Sequence, residues 1–381
     1  MNSRERLLTA LNHQEPDRIP FDIGATLITG ISKTAYQNLL EYLGMPAEEI
    51  GFFDVVQQLA KPSEAFLTKL GIDVRNVSPN PPSDWKLEIQ ERGDYWFFKD
   101  AWQIGWRMPK QKGFYYDMAE HPLADALSVE EIENFAYPDS HDEALYAGIR
   151  DRAAAVQSQG YGVVMSSIGA GIFEYGGWLR GYENFYADLA GDPEMACKVM
   201  DKVLEVKLAY WDRVLTAAGD LIDVVQEADD LGSQNGMLIS PQMYRKYVKP
   251  RHRELFELIH RKTQGKVFIH SCGSFREVIP DLIEVGVDII NPVQFNVANM
   301  ESVGLKRDFG KDLVFWGGGV DTQKVLPKGT PAEVKECVRK QIEALAPGGG
   351  LVFNTVHNIQ PDVPPQNIVA LWEALKEYGK Y

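Results

Sequence analysis

The stretch Lys266-Val-Phe-Ile-His270, continued by Ser271-Cys272-Gly273, is a short apolar run ending in an imidazole and a thiol one residue apart. Side chains alternate along an extended backbone, so as a strand this run puts His270 and Cys272 on the same side. Runs of the same kind recur: Gly162-Val-Val-Met-Ser-Ser167, Leu221-Ile-Asp-Val-Val-Gln226, Val287-Asp-Ile-Ile-Asn-Pro292, Leu313-Val-Phe-Trp316 and Gly350-Leu-Val-Phe-Asn354. Amphipathic helical spacing separates them. Two more, near 19–23 and 71–77, bring the number to eight. Strands alternating with helices pair in parallel, and eight such units predict an α/β fold of the closed (β/α)8 TIM-barrel type. An open dinucleotide-binding sheet would need a glycine-rich turn after its first strand, and Gly24-Ala-Thr26 is not one.

Other segments fill in around these runs. A helix is expected over 3–12 with Ser3 as its cap, and further helices near 33–43, 47–59 and 62–70. Trp85–Gln90 and Tyr95–Lys99 flank Glu91-Arg-Gly-Asp94, the pattern of a hairpin. Trp102, Trp106, Phe114, Tyr115 and Tyr116 follow, read either as packing or as a wall over a flat substrate. One domain over 1–381, with an insertion at about 80–139, accommodates everything.

Composition narrows the function. The 381 residues, 45% hydrophobic and 24% charged, suit a soluble globular chain, and the net charge of −15 speaks against nucleic acid and against anionic membranes. Three widely spaced cysteines do not make a disulfide framework. No stretch resembles a signal peptide or about twenty apolar residues in a row, so a reduced, cytoplasmic protein is expected.

In a TIM barrel the site forms where the strands end. Those positions are polar here: Asp22, Ser166, Ser167, Gln226, Glu227, Asp229, Asp230, His270, Cys272, Asn291, Gln294, Asn354, His357, Asn358 and Gln360, with no lysine or arginine among them. Nitrogen and sulfur donors suit zinc, which in catalytic sites has three protein ligands and an open position. His270 and Cys272 provide two, and Glu227, Asp230 or His357 a third.

His270-Ser-Cys-Gly273, Asn291-Pro-Val-Gln294, Phe315-Trp-Gly-Gly-Gly-Val-Asp-Thr-Gln323 and His357-Asn-Ile-Gln360, with Asp230-Leu-Gly232 and Ile239-Ser-Pro241, resemble the uroporphyrinogen decarboxylase superfamily. The likeness is closer to its corrinoid-dependent methyltransferase branch and runs most strongly from about 220 to 371. It implies a zinc site on the HxC motif, a third cysteine near the eighth strand, a corrinoid on a separate partner protein, a small-molecule substrate and a homodimer. That cysteine is missing: Gly348 or Gly349 stands in Ala346-Pro-Gly-Gly-Gly350, which leaves Glu227 or His357 as third ligand. From their places at or just after the strand ends, Glu227, Asp230 and His357 are the candidates to complete the coordination or move protons, and Asp22, Asn291, Gln294, Asn354 and Trp178 those expected around the substrate. The activity expected is zinc-dependent methyl transfer between a corrinoid protein and a methoxylated aromatic, another methyl donor or a thiol. The alternative is a metal-free decarboxylase-like lyase. Asp17-Arg-Ile-Pro-Phe-Asp-Ile-Gly24 lacks the paired arginines that the decarboxylases use on an acidic tetrapyrrole, which disfavours uroporphyrinogen itself.

Overall fold

The computed structural model describes all 381 residues. Seven strands, Val74–Val77, Gly162–Ser166, Val224–Ala228, Lys266–His270, Ile289–Asn291, Val314–Trp316 and Leu351–Val352, lie side by side in chain order, and every pairing is parallel. Helices lie between successive strands; the longest is Glu194–Ala218. The eighth stave is the segment near Phe21. Pro20 has no N–H to donate, so the segment forms a bridge rather than a full ladder. Phe353 N nonetheless donates to Pro20 O at 2.8 Å and Asp22 N to Phe353 O at 3.0 Å, while on the other side Asp73 N donates to Phe21 O at 2.9 Å. These bonds join the two edges of the sheet and close the TIM barrel.

Three local expectations are corrected. Asn2, not Ser3, caps the first helix, because its side chain accepts from Glu5 N while Glu5 reaches back to the Asn2 N–H. Residues 47–59 are not helical: Phe52–Asp54 and Leu59–Ala60 pair antiparallel. The inserted hairpin is a four-stranded meander, Gln90–Arg92, Tyr95–Lys99, Gly105–Pro109 and Asp117–Glu120. Its first strand starts only at Gln90, and the Trp85 indole N–H donates to the Lys99 carbonyl instead of pairing as a strand.

Apolar side chains of barrel and insertion merge into one buried cluster that includes Phe98, Trp102, Trp106 and Tyr116. Trp102 stacks on Tyr175 at 4.0 Å between centroids, and Trp106 meets Trp178 edge-on at 5.3 Å. Most of the aromatic segment therefore packs the insertion onto the barrel. No helix is long and apolar enough to cross a membrane.

Candidate metal centre

Strand register assembles the centre. His270 pairs with Asn291 on one neighbour and with Ala228 on the other. Paired residues project to the same face, so the Asn291 side chain reaches His270, and Asp230, two beyond Ala228, comes level with Cys272. The bonds follow: His270 Nδ1 lies 2.5 Å from Asn291 Oδ1, and Cys272 N donates to Asp230 Oδ1 at 2.7 Å. Gly232 and Gly273 let the loops beyond these strands touch. A Cβ on Gly273, where φ is +78°, would stand 2.5 Å from the Gly232 carbonyl carbon, and one on Gly232 would stand 2.8 Å from Cys272 O.

Asn291 also sets the tautomer of His270. Its Nδ2 donates to Trp316 O at 2.7 Å, which leaves Oδ1 as the acceptor facing Nδ1. Nδ1 therefore carries the proton, and Nε2 presents a lone pair 3.3 Å from Cys272 Sγ. His357 completes the group, with the donor atoms of His270, Cys272 and His357 all within 4.8 Å of one another. Its loop is held by Val356 N donating to Val320 O at 3.1 Å and by Thr355 Oγ1 donating to the His357 carbonyl at 2.6 Å.

The electrostatics suit a cation. Burial first, and then the neighbouring His270, push His357 down to about 4, so it stays neutral and able to ligate. Burial, reinforced by the carboxylates of Asp230 and Glu174, holds the Cys272 thiol well above the usual range, a penalty that a bound cation would offset. Zinc–nitrogen and zinc–sulfur bonds of about 2.0–2.3 Å set tetrahedral ligand edges of roughly 3.3–3.7 Å, and the His270–Cys272 edge already has that length. Two nitrogens and a sulfur with the fourth position open thus fit zinc. Asn291→Ala frees the His270 ring and is expected to lower metal affinity about 10–100-fold, read by competition against a chromophoric chelator. Unchanged affinity would contradict the orienting role.

Other sequence-predicted residues lie elsewhere. Glu227 pairs with Ile269, the opposite parity to His270, and so faces the helix layer. There it is buried and bonded to Lys207 Nζ at 2.7 Å, Trp211 Nε1 at 2.5 Å and Ser167 Oγ at 2.7 Å, all from outside the His–Cys–His group. It is neither a ligand nor a mouth residue, and the cation-free strand ends conceal a lysine behind them. Asp22 and Asn354 are fully buried and do not line the cavity. Trp178 is a packing residue, its indole N–H donating to Tyr182 Oη at 3.0 Å.

Burial pushes Asp22 up to about 7, only partly offset by hydrogen bonds such as that from Trp316 Nε1 at 3.0 Å. Between about pH 4 and pH 7 the folded protein keeps a proton that the unfolded chain has lost, so stability falls as pH rises through that window. Asp22→Asn is expected to flatten this slope in urea unfolding. An identical slope in the variant would contradict it.

Cys272 and His357 open into a cavity of about 610 Å³, walled also by Gln294, Gln57, Gln234 and Tyr115. Tyr115, half exposed, is the aromatic of the insertion that serves as wall rather than core. Gln57 belongs to the segment whose spacing suggested a helix, and nothing local in the sequence pointed to it. Ser233, Gln234, Thr322 and Gln323 sit in loops just past strand ends, where position alone marked them.

A model of the uroporphyrinogen decarboxylase (URO-D) family matches residues 119–378. The chain belongs to the uroporphyrinogen decarboxylase family. Among curated relatives, the methylated-thiol–coenzyme M methyltransferase of Methanosarcina mazei is 25% identical over 209 residues, covering 54% of this chain and 51% of that protein, so the chain spans about half of that relative's length. The uroporphyrinogen decarboxylase of Alkalilimnicola ehrlichii is 23% identical, covering 98% and 93%. A solved methyltransferase from Methanosarcina mazei superposes with a TM-score of 0.64 over 99% of both chains at 16% identity, a likeness of fold. Residues 346–350, the expected place of the missing third cysteine, do not reach the metal centre. That turn precedes the Leu351–Val352 strand and lies at the barrel's opposite end, where a Cβ on Gly349 would stand 2.4 Å from Gln14 O. The mouth position is after the strand, where His357 stands.

Proposed function

We propose that this protein is a zinc-dependent methyltransferase that moves a methyl group between a small substrate and a corrinoid carried by a separate protein. The observation that carries the reading is the His270–Cys272–His357 group opening into the cavity; the methyltransferase named among the relatives adds to it. Zinc bound there would supply a Lewis acid for an ether oxygen or a thiol sulfur. Asn291 keeps the His270 proton on Nδ1, away from the metal position. Asp230, partly exposed and 4.0 Å from His270 Nε2, would accept a substrate proton. Gln294 Oε1 accepts from Gly273 N at 2.8 Å and steadies the loop that carries Cys272.

The lyase reading draws on the nearly full-length decarboxylase relative. None of the 14 residues around the cavity is a lysine or arginine, so a polycarboxylate would enter without counterions, which favours methyl transfer. Zinc-loaded protein incubated with 2-methoxyphenol or 2-mercaptoethanol and the matching cob(I)alamin or methylcobalamin is expected to interconvert the two corrinoids, followed by absorbance. A decarboxylation that survives chelator, with no corrinoid change, would overturn the proposal.

A further inference from the structure

We infer that the molecule this cavity accepts carries no formal negative charge; the inference rests on the methyl-transfer reading and names its substrate class. Besides Cys272 and His357, the lining holds no ionisable group other than the Tyr115 phenol and is rich in carboxamides: Gln57, Gln234, Gln294, Gln323, Gln360 and Asn358.

Several of these have one end already occupied. Gln294 Oε1 accepts from Gly273 N, and Gln323 Oε1 accepts from Asn296 Nδ2 at 3.4 Å, which leaves both NH2 groups as donors. Gln360 Nε2 donates to Asn358 O at 3.2 Å, which leaves its oxygen as an acceptor. Asn358 is spent on the scaffold, its Oδ1 accepting from Gly30 N at 2.6 Å and its Nδ2 donating to Gln57 Oε1 at 2.8 Å. Neutral donors and acceptors of both kinds match hydroxyl, ether and carbonyl groups. A carboxylate or sulfonate would lose water and meet no cation among the lining residues, beside the Asp230 carboxylate, which lies 4.0 Å from His270 Nε2. A zinc ion with one thiolate adds positive charge at the metal position alone, where the reacting ether or thiol belongs.

The test is a matched pair: 2-methoxyphenol against 4-hydroxy-3-methoxybenzoate, which differ by one carboxylate, titrated calorimetrically into zinc-loaded protein. The neutral compound is expected to bind roughly tenfold or more tightly. Gln234→Arg, at an exposed lining position, is expected to narrow or reverse that ratio. Equal or tighter binding of the carboxylate to the native protein overturns the inference, as does binding of neither compound to protein shown to hold zinc. The methyl-transfer reading fails separately, if the protein binds no zinc; the same pair is then titrated into the zinc-free protein, where equal or tighter binding of the carboxylate, or binding of neither, overturns the inference.

Discussion

Cys272→Ala is expected to cut zinc affinity by about two orders of magnitude or more and to abolish corrinoid methylation. Removing an orienting neighbour costs 10–100-fold, and Cys272 is the sole sulfur in a three-donor group, so its loss must exceed that range. The fold should survive. Cys272 sits in the loop beyond the strand, and its backbone N–H still donates to Asp230 after truncation. His357→Ala should lose metal comparably, whereas Glu227→Gln should keep it, since Glu227 faces the helices. Zinc content after dialysis, beside far-ultraviolet circular dichroism, distinguishes metal loss from unfolding. Full zinc in Cys272→Ala would contradict the assignment of the ligands.

Lys207→Met is expected to destabilise the protein by about 3–5 kcal/mol. Lys207 has 0% and Glu227 2% side-chain exposure, and their 2.7 Å pair ties the helix Glu194–Ala218 to a barrel strand. The variant leaves Glu227 buried with only the Trp211 and Ser167 bonds. Removing both charges, in Lys207→Met with Glu227→Leu, should recover much of the loss, because the desolvation of an unpaired carboxylate disappears with it. Urea midpoints measure both. A single variant as stable as the parent would show that the pair contributes nothing, and a double variant worse than the single would contradict the desolvation argument.

The barrel was legible because its strands are buried on both faces and read as continuous apolar runs. The exception is the stave at Phe21, where Pro20 limits pairing and only backbone bonds to Phe353 and Asp73 reveal the closure. At the site, period-two alternation aligned His270 with Cys272, and the same rule separates Glu227 from them. Applying it to Glu227 requires the register between neighbouring strands, which pairs Glu227 with Ile269 and Ala228 with His270, and a single run does not encode register. Lys207 is hidden for a related reason: it lies mid-helix, away from the strand ends that mark a barrel site, and only packing brings it behind Ser167 and Glu227. Gln57 and Tyr115 come from outside the repeating units, from a hairpin and an insertion whose placement over the mouth follows from tertiary contacts alone.

X-ray absorption at the zinc edge, on protein purified without chelator and shown to hold one metal per chain, tests the centre most directly. Two nitrogen scatterers at about 2.0–2.1 Å and one sulfur at about 2.3 Å, with a light fourth ligand, are predicted. A shell without sulfur, or protein that retains no zinc, would contradict a centre built from His270, Cys272 and His357.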